Sequence, residues 1–170
     1  GFLDIVFANE GNSESESGAI IYWGNGSGEY SEERSTRLPG ERSSGVAVAD
    51  LNGDGYLEVV LANAFRLRGR EQEIYNIIDT VAIDSYIYWG SKQGYSVNRR
   101  TELPTVGASA VATADLNGDG RPDVVFANSS GGASYIYWNG TDGFHPNKCM
   151  MIPTLNASYC AVEDLNADGF

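Results

Sequence analysis

One six-residue stretch, Asp-Leu-Asn-Gly-Asp-Gly, occupies residues 50–55, recurs at 115–120 and returns with one substitution at 164–169. Oxygen-bearing side chains stand at its first, third and fifth positions, and a glycine stands at the sixth. An acid follows at the ninth position as Glu58 or Asp123. Alternate side chains of a tightly curled loop point inward, and the glycine permits the sharp turn. The spacing therefore predicts a family of related loops that bind a hard cation.

The predicted ligand shell contains only oxygen atoms, from carboxylates, an amide and the backbone carbonyl at the seventh position, Tyr56 or Arg121. Such a shell suits Ca²⁺ better than zinc or copper, because no His or Cys lies nearby. An EF-hand loop is excluded, since its twelfth position needs an acid and is Leu61 or Phe126 here. Asn, Gly and Asp also form plain turns, but three recurrences with two ninth-position acids favour the metal interpretation.

Composition limits the class of protein. The formal net charge is −12, and eight of the 23 acids belong to the repeated loops, so bound cations would cancel much of this charge. An acidic surface argues against nucleic acid or anionic lipid as a partner. No apolar run approaches the roughly 20 residues that span a bilayer, so membrane insertion is not expected. The chain begins inside a motif, and we expect a mature product or a segment.

Four strand-like segments recur in a fixed order around the loop. We name them A (residues 46–51 and equivalents), B (57–63), C (the Ile-Tyr-Trp-Gly strand) and D (the strand containing Leu-Pro). Successive C segments lie 66 and then 49 residues apart. A repeat of about 40–50 residues with four antiparallel strands is typical of a β-propeller blade. The prediction is an all-β fold with strand order BCD-ABCD-ABCD-A.

This order gives three blades' worth of strands within a single repeat region. The blade units are predicted at approximately 1–43, 44–106 and 107–156, and residues 157–170 contain the first strand and calcium loop of a further blade. The second repeat has an insert at 64–84, for which a long hairpin and a short helix are both open. In segment C, we expect Ile87 and Trp89 to fill the space between blades while Tyr86 and Tyr88 face the other side.

The pattern GxxVxxADLNGDGxxDVVFAN resembles the FG-GAP or VCBS family of repeats, which occur in integrin alpha-chain propellers and in many secreted repeat proteins. The resemblance covers essentially the whole chain, and it implies blades of a β-propeller with Ca²⁺ in their loops. Carried over residue by residue, it implies three sets of ligands. They are Asp50, Asn52, Asp54, the Tyr56 carbonyl and Glu58; Asp115, Asn117, Asp119, the Arg121 carbonyl and Asp123; and Asp164, Asn166, Asp168 and the Phe170 carbonyl.

The third set lacks the ninth-position acid, and Asp4 of a following copy would occupy that register. Three blades are fewer than the 4 to 8 of a typical closed propeller. The open alternatives are a segment of a longer polypeptide, a closed dimer of six blades, and a head-to-tail filament in which segment A of one copy completes the B-C-D unit of the next. We expect neighbouring repeats or self-association as the partners, with glycans or cell-surface proteins as further possibilities.

Location and covalent chemistry give weaker signals. Cys149 and Cys160 are compatible with a disulfide or with two free thiols. Asn-x-Ser/Thr sequons favour a secreted or cell-surface glycoprotein. They begin at Asn25, Asn128, Asn139 and Asn156.

No catalytic motif is present in the sequence, so an enzyme is not expected. The single histidine, His145, lies in a predicted turn, and the paired carboxylates belong to the cation loops. Two functions follow as expectations. The first is an extracellular calcium-binding structural or adhesive module. The second is a carbohydrate-binding module that holds sugars on rim loops with Tyr, Trp and Asn groups. A separate alternative is an accessory domain of a larger secreted protein.

Overall fold

The computed structural model of the protein describes residues 1–11, 13, 15–64 and 83–169, and these residues form an all-β structure, as predicted. Apart from a single 3-10 turn at Glu32–Arg34, its regular elements are eleven strands. The strands are β1 (Ile5–Asn9), β2 (Gly18–Tyr22), β3 (Ser35–Pro39), β4 (Ser43–Ala49), β5 (Glu58–Asn63), β6 (Ile83–Tyr88), β7 (Arg100–Thr105), β8 (Ala108–Ala114), β9 (Asp123–Asn128), β10 (Ala133–Tyr137) and β11 (Cys149–Pro153).

The strands form three antiparallel sheets in which sequential strands are neighbours. The first sheet has the order β1-β2-β3, the second β4-β5-β6-β7 and the third β8-β9-β10-β11. These are the B-C-D, A-B-C-D and A-B-C-D units predicted from the repeat, and each resembles a propeller blade. The insert predicted at 64–84 lies outside the described residues, apart from Ala64 and the first two residues of β6.

The innermost strands of the second and third sheets approach each other closely. A Cβ atom on Gly45 of β4 would lie 2.8 Å from the Cα of Ala110 in β8, so a side chain there would push the strands apart. Ser44 Oγ donates a hydrogen bond to the carbonyl of Ala108 at 2.7 Å. Small residues at these positions are therefore required by the packing of sheet against sheet.

The final A segment takes the corresponding position beside β8 without forming a strand. Ser109 Oγ of β8 donates to the carbonyl of Ala157 at 2.6 Å, which repeats the contact between β4 and β8. Residues 157–163 have no strand assignment. The physical reason is that a strand needs a ladder partner, and the described chain provides no B strand after this segment.

Two hydrophobic cores lie between the three sheets. The core between the second and third sheets contains Ile87, with Trp89 packed at its margin. The core between the first and second sheets contains Tyr86 and Tyr88. The predicted alternation is confirmed, and both faces of β6 are buried rather than one face being open to a ligand.

A tyrosine hydroxyl links each complete sheet to the sheet before it. Tyr88 Oη donates to the carbonyl of Pro39 at 2.6 Å, and Tyr137 Oη donates to the carbonyl of Pro104 at 2.5 Å. Burial raises the pKa of both phenols above the ordinary value, so both hydroxyls remain protonated donors at neutral pH.

The described part of the chain has no helix with the length and apolar character needed to cross a membrane.

Replacing Tyr137 by Phe tests the importance of this link. The variant removes only the hydroxyl of a buried side chain, and it leaves the Pro104 carbonyl without this donor at a part-buried junction. We expect urea denaturation to show a loss of about 1–3 kcal/mol in the free energy of unfolding. The matched control is Tyr135→Phe, because Tyr135 is half-buried on the same strand and its hydroxyl forms no hydrogen bond with the described residues. Equal effects of the two variants would contradict the proposed link.

Candidate metal centres

The first cation loop, residues 50–57, connects the end of β4 to the start of β5. Asp50 folds the loop around its carboxylate, since Oδ1 accepts the backbone N–H of Gly53 at 2.8 Å and Oδ2 accepts that of Gly55 at 2.9 Å. The two glycines have φ angles of +74° and +85°, a region that residues with a Cβ atom rarely adopt. The glycines of the motif are therefore needed for the curl that surrounds Asp50.

The third and fifth positions continue the curl through short turns. Asn52 Oδ1 accepts the N–H of Asp54 at 2.9 Å, and Asp54 Oδ1 accepts the N–H of Tyr56 at 2.8 Å. Asn52 Nδ2 also lies 3.1 Å from Asp54 Oδ2. These hydrogen bonds hold the side chains of Asn52 and Asp54 against each other and against the loop backbone.

The second and third loops share the hydrogen bond from the sixth-position glycine to the first aspartate. Asp115 Oδ2 accepts the N–H of Gly120 at 2.8 Å, and Asp164 Oδ2 accepts the N–H of Gly169 at 2.8 Å. The amide of Gly169 and other loop amides lower the pKa of Asp164. The Phe170 carbonyl, predicted as a ligand of the third loop, lies outside the described residues.

The ninth-position acid of the first loop is the first residue of β5 and lies inside the protein. Glu58 is fully buried. Its Oε2 accepts the N–H of Leu51 at 2.7 Å, and its Oε1 accepts the N–H of Gly90 at 3.2 Å. One carboxylate therefore ties the loop to the end of the C segment.

The other sheets repeat this arrangement. Asp123 Oδ2 accepts the N–H of Leu116 at 3.1 Å, and its Oδ1 accepts that of Asn139 at 2.8 Å. In the first sheet, Asp4 Oδ1 accepts the N–H of Gly24 at 2.8 Å. Asp4 therefore occupies the same structural position as the two ninth-position acids.

The acids of the first loop influence the titration of Glu58. Burial is the main cause that raises the pKa of Glu58, and the negative charges of Asp54 and Asp50 raise it further. The two amides that bind its carboxylate act in the opposite direction. Like charges disfavour the ionised form of one another, and a divalent cation held by oxygen donors of this type would offset that repulsion.

In the residues that the structure describes, no three His, Cys, Asp or Glu side chains form a compact metal cluster. The loop carboxylates face the amides of their own loops instead. A cation bound here would therefore need amide and carbonyl oxygens, such as those of Asn52 and Tyr56, as well as carboxylates. This is the mixed donor set that the sequence predicts.

The second loop differs from the first because its seventh residue is an arginine. Arg121 Nη2 lies 2.7 Å from Asp119 Oδ2 and forms an ion pair with it. Arg121 Nε also donates to the carbonyl of Asn139 at 2.8 Å. A guanidinium therefore already neutralises part of the negative charge in this loop.

Two of the four predicted glycosylation sites are incompatible with the structure. Asn128 and Asn139 are buried. The side-chain nitrogen of Asn128 donates to the Ala133 carbonyl at 3.0 Å, and that of Asn139 donates to the Leu51 carbonyl at 2.6 Å. A glycan needs this nitrogen to be accessible, so the prediction is wrong at these two positions.

The other two sequon asparagines, Asn25 and Asn156, are exposed and stay predictions. The cysteines are both free thiols in the structure, which is one of the two alternatives that the sequence left open. Burial raises the pKa of the Cys160 thiol.

Sequence reasoning missed the structural role of the asparagine that ends each complete B strand. Asn63 Oδ1 accepts the hydroxyl of Ser43 at 2.7 Å, and its Nδ2 donates to the Asp84 carbonyl at 2.8 Å. Asn128 has the equivalent place in the third sheet. The available signal was the Ala-Asn pair that closes all three B segments at 8–9, 62–63 and 127–128.

Comparison with known proteins supports the assignment of the repeat. The model of the FG-GAP-like repeat matches residues 1–61 and 115–170, which is more than half of the chain. Searches of the curated proteins and of the solved structures gave no match.

The raised pKa of Glu58 predicts a pH dependence of stability in the absence of cations. In the unfolded chain a glutamate has a pKa of about 4.3, and in the folded chain the pKa of Glu58 is higher. The folded state therefore binds more protons in this window, and stability falls as the pH rises through it. In chelator, Glu58→Gln should remove this part of the pH dependence, as measured by urea denaturation at a series of pH values. If the free energy of unfolding of the variant changed with pH as steeply as that of the unmodified protein, Glu58 would not be the group responsible.

Proposed function

Because the chain belongs to the FG-GAP-like repeat family, we propose that it is an extracellular calcium-binding structural or adhesive module. The family consists of structural repeats and is generally non-enzymatic. The observation that supports calcium most directly is Glu58, a fully buried carboxylate whose pKa is raised by burial and by the negative charges of Asp54 and Asp50. Among the described residues, no Lys or Arg forms an ion pair with Glu58 that would balance this charge.

The proposed mechanism is a cross-link between two strands. Asp50 follows the end of β4, and Glu58 begins β5, so a cation held by both would fix the turn from one strand to the next. Bound Ca²⁺ supplies positive charge that offsets the repulsion between the carboxylates. Glu58 and Leu51 then connect the loop to the interior, because the Leu51 side chain is buried between the second and third sheets.

The structure supports the structural role more directly than the carbohydrate-binding alternative. A lectin of this type needs exposed aromatic rings for stacking against sugars. Tyr86 and Tyr88 are instead buried between sheets, and Trp89 packs against Phe144 with the ring centroids 6.5 Å apart. The most aromatic strand of the second sheet is thus used for packing.

Calcium should raise the thermal stability of the protein, and excess EGTA should lower it. For each saturated loop the gain is about 2.7 kcal/mol when free Ca²⁺ is 100 times its dissociation constant. Differential scanning calorimetry with Ca²⁺ and with EGTA measures the effect. An unchanged melting curve in excess EGTA would refute the calcium function.

Asp54→Asn identifies the loop that is responsible. The asparagine retains an oxygen for the N–H of Tyr56 but removes one negative charge, so the calcium-dependent rise in melting temperature should become smaller while stability in EGTA is retained. Asp142→Asn is the matched control, because Asp142 is an exposed acid outside the loops. An equal reduction in both variants would mean that the effect of calcium is nonspecific.

Glycosylation offers a test of the extracellular location. Expression in a host that adds N-glycans should modify Asn25 and Asn156, which are exposed, and leave Asn128 and Asn139 unmodified, which are buried. Peptide mass spectrometry after glycan release distinguishes the four positions. A protein that is secreted by the host but has no glycan at either exposed site would count against the glycoprotein prediction.

A further inference from the structure

The junctions between sheets repeat their contacts in a regular way. In the first, a tyrosine in the C strand of one sheet donates to a proline carbonyl in the D strand of the sheet before it. Tyr88 donates to Pro39, and Tyr137 donates to Pro104. The contact thus needs a tyrosine on one sheet face and an accessible proline carbonyl on the other.

In the second contact, the tryptophan that follows a C strand packs on an aromatic ring from the next sheet. Trp23 stacks on Tyr95 with the centroids 6.5 Å apart, and Trp89 packs on Phe144 at the same separation. The third contact joins the inner strands of neighbouring sheets, β4 and β8. There Ser44 Oγ donates to the carbonyl of Ala108.

The outward face of the third sheet has the acceptor half of these contacts. Pro153 ends β11 at the position of Pro39 and Pro104, and it is exposed. The Trp138 ring is half-buried, and its indole N–H has no hydrogen bond to the described residues. In the second sheet, Trp89 Nε1 donates to Thr101, whereas Met150 stands at the corresponding position of β11.

The outward face of the first sheet has the other half. Tyr22 ends β2 at the position of Tyr88 and Tyr137. Tyr30 corresponds to Tyr95, because Tyr30 Oη donates to the Leu3 carbonyl at 3.0 Å as Tyr95 Oη donates to the equivalent Leu57 carbonyl at 2.8 Å. The two outward faces of the molecule are therefore complementary in the same register as its internal junctions.

The strand edges are complementary as well. β1 has an unpaired edge, and its side chains Phe7 and Ile5 are 51% and 36% exposed. The second sheet pairs Val46 with Leu61 and Val48 with Val59 across β4 and β5. Aligning the repeats on this ladder places Cys160 opposite Phe7 and Val162 opposite Ile5. An unpaired strand edge with apolar side chains is a surface on which another strand adds.

The ninth-position acid of the first sheet and the leucine of the last loop are complementary as well. Glu58 and Asp123 each use their second oxygen to accept the N–H of a loop leucine, Leu51 or Leu116. Asp4 has the same position at the start of the first sheet, and the corresponding loop leucine is Leu165. Leu51 is 1% exposed, whereas Leu165 is 95% exposed.

We propose that the outward face of the first sheet docks on the outward face of the third sheet of a second copy of this chain. Residues 157–163 of one copy then form the A strand beside β1 of the other, and Tyr22 donates to the Pro153 carbonyl. The occupant is a second copy because both halves of each repeated contact are exposed on the same molecule. A face that meets a different face generates a ring or a filament. The inference rests on the contacts between sheets and does not require that calcium binds.

The test is a disulfide between copies. Phe7→Cys is introduced together with Cys149→Ser, so that Cys160 is the only native thiol with which it can pair. Directly opposed residues of an antiparallel pair lie about 4.5–5.5 Å apart at Cα, which is within disulfide range. Mild oxidation followed by nonreducing electrophoresis should give a covalent dimer or a ladder. The yield should exceed that of the controls by about ten-fold or more, since a docked pair has an effective concentration in the millimolar range.

Two matched controls separate docking from chance collision. The first adds Cys160→Ser to the test variant. The second places the new cysteine at Lys92, which is exposed between β6 and β7 of the second sheet and so belongs to neither outward face, in the Cys149→Ser background. Both should give only background cross-linking. Circular dichroism of each variant checks that the sheets are folded.

Light scattering of the unmodified chain, with Ca²⁺ and with EGTA, completes the test. A particle larger than a monomer, reduced to a monomer by Tyr22→Asp or Trp138→Arg, is the expected result. A monomer at all concentrations together with background cross-linking would overturn the proposal and would mean that another occupant covers these faces. Cross-linking that persists in EGTA would support docking even if the calcium function fails, whereas calcium-dependent melting of a strict monomer would support the calcium function alone.

Discussion

The second sheet of this protein has two apolar faces, and a neighbouring sheet covers each of them. On β5, the adjacent residues Val59 and Val60 point to opposite faces, and each is at most 1% exposed. Val59 belongs to the core shared with the first sheet, and Val60 to the core shared with the third. A sheet of this type cannot be stable alone, because burying only one face would leave the other in water. The stacked arrangement of the sheets follows from this requirement.

The first loop, residues 50–57, is connected to that packing through Leu51. Its side chain is buried between the second and third sheets, its N–H is bound by Glu58, and its carbonyl accepts the side chain of Asn139 from the third sheet. A change in the charge of the first loop therefore reaches the junction between two sheets. This connection gives a physical route by which calcium would rigidify the assembly as well as a single turn.

The repetition of the sequence made the fold predictable to a large extent. The order of the strands, the position of the loops and the alternation of Ile87 and Tyr88 between opposite faces all follow from period-two patterns and from the spacing of the motif. The sequons at Asn128 and Asn139 were misinterpreted, because a sequon is a local pattern and says nothing about burial. Both asparagines are buried hydrogen-bond donors, and a glycan cannot be attached to them in this fold.

The sequence by itself determined the local conformations, since glycines with positive φ and alternate Asp and Asn side chains curl the loops without help from distant residues. It also determined which faces of the strands are apolar. Only the tertiary structure decided which faces meet, and it gave Tyr137, Asn139 and Leu51 their partners from other sheets. The physical reason is the distance along the chain over which each kind of interaction acts. Turn and strand patterns act over a few residues, whereas the contact between Asn139 and Leu51 exists only after the second and third sheets have packed together.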